Sequence, residues 1–172
     1  MMRVSKFRLG DLADVVRIER ASFGRESYSV VTFLAHLLRD RNGLFVAEDG
    51  DGRVTGYVLA RVGLRWIGAR RGGITSIAVD PPHRRRGFGR ALTGAALAYL
   101  KSSGVEEADL EVNVTNRAAH SLYQAFGFVQ LRLLPDYYGP QADGLRMGLD
   151  LRRSTAAEGA PQVTRAEHGA GR

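Results

Sequence analysis

The feature that most restricts this chain is a junction between a strand and a helix. Ile74-Thr75-Ser76-Ile77-Ala78-Val79 runs into Asp80-Pro81-Pro82, and Arg84-Arg85-Arg86-Gly87-Phe88-Gly89-Arg90 then leads into an apolar-periodic segment. The prolines end the strand because they lack a ladder donor. The two glycines allow close backbone approach to a ligand, and a helix start offers N–H groups without intrahelical partners, so the turn reads as an anion site. It is not a nucleotide P-loop, which needs a Gly-Lys-Ser/Thr ending, nor a dinucleotide fingerprint, since Leu92 stands where the third glycine belongs. Taken alone, the turn also reads as a tight connection carrying solvated arginines.

Around this junction the periodicity alternates. Leu12, Val15, Val16, Ile18 and Phe23 predict a helix over Asp11–Phe23 with Asp11 as its cap, and Phe33, Leu34, Leu37 and Leu38 predict a second over Val30–Arg39. Leu44–Glu48 and Val54–Arg61 flank the turn sequence Asp49-Gly50-Asp51-Gly52, which predicts a hairpin. A strand over Gly73–Val79, a helix over Gly89–Lys101 ended by Gly104, and a strand over Ala108–Val114 follow. A helix over Asn116–Ala125 closed by Gly127 and strands over Phe128–Leu134 and Leu145–Leu151 complete the pattern. This order predicts an α/β domain over residues 1–152, a mixed sheet with helices on both faces. Residues 153–172 lack apolar periodicity and are expected to form a disordered tail.

At 172 residues and 44% hydrophobic content the chain can bury the core of one domain. It has no apolar run of about 18 residues and no apolar signal core after Met1–Lys6, so we expect no membrane association and a cytoplasmic location. The absence of cysteine excludes disulfides, thiolate metal sites and a cysteine nucleophile, and no metal is expected. A net charge of +7 invites a nucleic-acid reading. Because only Lys6 and Lys101 are lysines and the rest of the positive charge is arginine, we do not take direct nucleic-acid binding as the primary function.

A second block carries chemistry. In Leu110–Val114, alternation puts Leu110, Val112 and Val114 on one face and Glu111 and Asn113 on the other. Glu111 is then either a solvated carboxylate near the sheet end or a partly buried one that is paired or shifted toward use as a base. Asn116 and Tyr123, seven residues apart, lie on one helix face two turns from each other. They read as an N-cap and a half-buried aromatic, or as two contacts to one ligand. Tyr137 and Tyr138 fall in the last loop, as packed aromatics or as the wall of a cleft.

The run Ile77–Leu92 resembles the acetyl-coenzyme A motif of the GNAT N-acetyltransferase superfamily, Arg/Gln-x-x-Gly-x-Gly/Ala, with Arg84, Gly87 and Gly89 at its defining positions. Leu110–Phe128, Asp136-Tyr137-Tyr138 and Met147-Gly148-Leu149 are similar to the corresponding blocks of the bacterial ribosomal-protein-alanine N-acetyltransferases, so the resemblance covers about Asp11 to Leu151. It implies a GNAT-like, mostly antiparallel sheet and acetyl-coenzyme A as cosubstrate. The pyrophosphate would meet the turn of Arg84, with the amides of Arg85, Arg86, Gly87, Phe88, Gly89 and Arg90. Ile77, Ala78 and Val79 would hold the pantetheine arm and acetyl group by their main chain, and Asn116 would add a coenzyme contact. Glu111 is the implied proton acceptor, Tyr123 the implied donor to the sulfur, and Tyr137 and Tyr138 the implied peptide wall. The implied reaction is direct acetyl transfer to a protein N-terminal α-amine, with ribosomal proteins among the expected partners. Asn113 replaces an arginine frequent after Leu-Glu-Val, so lysine side chains and small amines stay open as acceptors. A non-catalytic coenzyme- or RNA-binding module is a remoter alternative, against which Glu111 and Tyr123 argue. His83, in place of a frequent tyrosine, is read as a surface residue.

Overall fold

Strands β1 (Arg3–Lys6), β2 (Leu44–Glu48), β3 (Val54–Val62), β4 (Arg71–Val79), β5 (Glu107–Asn113), β6 (Val129–Leu134) and β7 (Gly144–Asp150) combine with helices α1 (Leu12–Phe23), α2 (Phe88–Ser102) and α3 (Arg117–Ala125). The computed structural model describes residues 2–24, 35, 42–63 and 69–154. The helix predicted over Val30–Arg39, apart from Ala35, and the tail predicted beyond Ser154 lie outside the described residues.

The seven strands form one sheet in the order β1-β2-β3-β4-β5-β7-β6. Every pairing is antiparallel except β4 with β5, which are parallel and joined through α2, as a parallel connection requires. Alternation sorts the strand residues onto two apolar faces. Leu92, Leu97 and Leu100 of α2 pack with Leu110, Val112, Met147 and Tyr123 in the larger core. On the opposite face, Val15 and Ile18 of α1 cover Leu44, Val46, Tyr57 and Leu59. The mixed, mostly antiparallel sheet with helices on both faces is therefore present.

Two details depart from the sequence reading. Strand β1 was not anticipated, because four residues with only Val4 and Ser5 buried carry almost no periodic signal. Asp11 stands at the N-cap of α1 but does not cap it; its carboxylate accepts the Arg8 amide at 2.7 Å, across the 3-10 turn Leu9–Asp11 that precedes the helix.

The feature that creates a site is a fork. β4 and β5 are in register only at Arg71–Glu107, Gly72–Ala108 and Gly73–Asp109. Beyond that, β4 continues along β3 while β5 continues along β7, so the upper halves of the two parallel strands diverge. β4 also carries a bulge above the vertex, since Leu59 faces Ser76 and Ala60 faces Ile74, which leaves Thr75 without a partner in β3.

Candidate active site

The turn between β4 and α2 opens at the wide end of this fork. Arg85 (φ 62°) and Gly87 (φ 88°) both adopt left-handed backbone, a conformation that folds successive amides toward a common centre. The His83 amide donates to the Asp80 carbonyl and that of Arg84 to Pro81, while Ala91 closes the first turn of α2 on Gly87. Among the described residues, no amide from Arg85 to Arg90 donates within the chain. Such a row of unmade donors, at a helix start with no side-chain cap, fits a pyrophosphate in both charge and geometry.

Glycine at position 89 keeps the passage from this turn into the fork clear. A Cβ there would sit 3.5 Å from Leu122 and 4.0 Å from Val79, so a larger side chain would fill the space between β4 and α3. Arg85 and Arg86 are exposed, Arg90 lays its guanidinium 5.5 Å above the Phe126 ring, and the Phe88 side chain is buried in the larger core. Arg84, though exposed, folds back to donate to the Val79 carbonyl at 3.0 Å and to Ser22 of α1 at 3.2 Å, so its side chain fastens the turn to the strand it leaves. His83 is no solvated surface residue. It is half-buried between the carboxylates of Asp49 and Asp80, 3.6 and 3.8 Å away, with its Nδ1 buried and without a hydrogen bond. Asp80 is itself buried and held by Arg17 of α1 at 2.8 Å, a contact that ties the base of the turn to the helix across the sheet.

The groups expected to move protons come from β5 and from α3. On β5, Glu111 projects to the face opposite the larger core and is half-buried, with 18% of its side chain exposed. Its Oε1 accepts both Nε (3.0 Å) and a terminal nitrogen (2.6 Å) of Arg146, which is in register with it on β7. The expectation of a paired or shifted carboxylate resolves as a paired one. Tyr123 projects from α3 into the core side, edge-on to Phe128 at 5.8 Å. Burial raises its hydroxyl well above the ordinary tyrosine range, so the group keeps its proton. Asn116 caps α3 by accepting the Ala119 amide at 3.1 Å, a bond that uses only its oxygen. Ile77 and Val79 are half-buried on the β4 wall and Ala78 faces the α1 side.

Tyr137 and Tyr138 pack edge to face at 5.0 Å in the turn between β6 and β7, with the Tyr137 ring against Gly144. Burial and then Glu111 raise the Tyr137 hydroxyl, and Gly144, against which its ring lies, faces Asn113, two residues along β5 from Glu111. Arg146, Arg61 and Asp109 share this face and were missed in the sequence, where their pairing depends on a strand register that no local pattern reveals. Among the described residues no group of His, Asp and Glu side chains converges as metal ligands.

The model of the acetyltransferase (GNAT) family matches residues 12–128. The chain belongs to the GNAT acetyltransferase family. It is by that membership an acetyl-coenzyme A-dependent N-acetyltransferase. Among GNAT relatives, it is similar to the N-alpha-acetyltransferase of Sulfolobus acidocaldarius, 37% identical over 151 residues that cover 83% of this chain and 89% of the relative. Its fold matches the ribosomal-protein-S18-alanine N-acetyltransferase of Escherichia coli with a TM-score of 0.77 at 28% identity, covering 88% of this chain and 94% of that one. Ard1 of Thermoplasma volcanium matches with a TM-score of 0.77 at 26% identity, over 87% of this chain and 97% of that one.

Proposed function

We propose that this GNAT enzyme acetylates the α-amine of a protein N-terminus, with Glu111 accepting the amine proton and Tyr123 supplying the proton that the leaving sulfur needs. The observation that carries the reading is the fork itself, with a row of unmade amides at its mouth and a half-buried carboxylate on its β5 wall, together with a buried, protonated tyrosine on α3. When bound, acetyl-coenzyme A supplies an acyl group activated as a thioester. The amides of Arg85 to Arg90 would hold its pyrophosphate, the main chain of Ile77, Ala78 and Val79 its arm, and the free amide nitrogen of Asn116 would add a contact.

Glu111 has one oxygen bound by Arg146 and one left for the amine, so it can orient the acceptor and take its proton in one position. An α-amine, with a pKa of about 7.7–8.0 against about 10.4 for lysine, is the easier of the two to deprotonate. Relatives named for N-alpha-acetylation and for ribosomal-protein alanine support the same acceptor, and a ribosomal protein in the cytoplasm is the substrate we favour. Tyr137 and Tyr138 would line the peptide's path beside Glu111. We take residues 1–152 as the catalytic domain, since Leu151 is its last buried side chain among the described residues.

The test is mass spectrometry of a mixed peptide pool incubated with the enzyme and isotopically labelled acetyl-coenzyme A. Label on N-terminal residues supports the reading; label confined to lysine side chains or small amines rejects it.

A further inference from the structure

Arg61 of β3, Gly73 of β4 and Asp109 of β5 lie side by side in one row of the sheet, and Gly73–Asp109 is the last pair before β4 and β5 diverge. Arg61 reaches over the strand between them and donates to Asp109 Oδ1 at 2.7 Å. It can do so only because position 73 has no side chain: a Cβ there would overlap both the carbonyl and the carboxylate of Asp109. The ion pair thus crosses β4 at the vertex and ties the two outer strands together at the point from which the fork opens.

We propose that Arg61 and Asp109 act as a positioning pair, a bolt that sets the depth of the fork and thereby the place of Glu111. This rests on the role given to Glu111 above. A ligand lying between two diverging parallel strands acts as a wedge, and the easiest bond for it to break is the next rung below. With Arg61 holding Asp109, that rung stays closed, and Glu111, two residues or about 7 Å farther along β5, keeps its distance from whatever lies in the fork. Without the bolt the coenzyme still binds, since its amide nest is on the α2 side, but the carboxylate is displaced from the acceptor amine. Misplacing a reacting group by about 1 Å costs on the order of 100-fold in rate.

Arg61→Met, Asp109→Asn and the double variant of the full chain are compared in steady-state kinetics. Each single change is expected to lower kcat about 10- to 100-fold with coenzyme KM nearly unchanged. The double variant should be no slower than the slower single one, because both remove one bond, and Arg61→Lys should recover much of the lost kcat. Parental kcat in both single variants with only a lower melting temperature, or losses that multiply in the double variant, overturns the proposal. Glu111→Gln is measured alongside: if it is inactive while Arg61→Met and Asp109→Asn run at full speed, the bolt alone is rejected. If Glu111→Gln is itself fully active, both the base assignment and the bolt that serves it fall.

Discussion

Arg146 gives two nitrogens, at 2.6 and 3.0 Å, to a single oxygen of Glu111, directly opposite it across β5 and β7. This geometry anchors one oxygen of the carboxylate and leaves the other without a partner among the described residues. Glu111→Gln preserves the shape but not the proton acceptor, and should cut turnover by about 10²–10⁴-fold with little change in coenzyme affinity. Arg146→Met should lose about tenfold through misorientation alone. Because Arg146 is 37% exposed, its removal should cost no more than about 1 kcal/mol of stability, read from denaturant melts.

Gly89→Val tests the coenzyme passage. The Cβ it adds meets Leu122 and Val79 at ordinary contact distance and the backbone there is not left-handed, so the variant should fold. It should nevertheless weaken acetyl-coenzyme A binding by tenfold or more, roughly 1.4 kcal/mol or above in calorimetry. Parental affinity in the folded variant would show that the coenzyme does not pass Gly89.

The turn and the face on which Glu111 lies were legible in the sequence for chemical reasons. Prolines must stop a strand, glycines must supply left-handed backbone, and alternation must put Glu111 opposite the apolar Leu110 and Val112. Arg146, Arg61 and Asp109 were not legible, because their meaning lies in which strands sit side by side, and β7 reaches β5 only after a further hairpin. His83 was misread for the same reason. The carboxylates that enclose it come from a hairpin turn over thirty residues earlier and from Asp80. Asp11 failed as a cap because a local competitor, the Arg8 amide, takes its carboxylate.

Tyr123→Phe keeps the ring and its contact with Phe128, and should lose about 10²–10⁴-fold in turnover while binding coenzyme almost normally. It carries a second signature. The folded protein holds this hydroxyl neutral well beyond its ordinary value of 10.0, whereas the unfolded chain ionises there. The stability associated with the neutral group is therefore complete below about pH 10 and is lost as the pH rises toward the folded value. Tyr123→Phe should lose less stability than the parent between about pH 10 and 11, measured by urea melts.

Arg17→Met tests the anchoring of the turn. Asp80, with 7% of its side chain exposed, would lose the guanidinium at 2.8 Å and keep, among the described residues, the His83 ring at 3.8 Å. The expected cost is about 1–3 kcal/mol, less than for a fully buried pair because Arg17 is 37% exposed. Coenzyme affinity should fall with it, since the turn begins at Asp80. A variant with parental melting temperature would show that the pair contributes nothing.

If the acceptor is an α-amine served by Glu111 and Tyr123, peptide kinetics must show it. The most direct measurement compares kcat/KM for two peptides of one sequence, the first with a free N-terminal alanine and no lysine, the second N-terminally blocked with one internal lysine. The free-alanine peptide should be preferred by at least about 100-fold, near 2.7 kcal/mol in transition-state stabilisation, and Tyr123→Phe should abolish most of that activity. Equal or better use of the blocked lysine peptide, or an undiminished rate in Tyr123→Phe, would contradict this assignment.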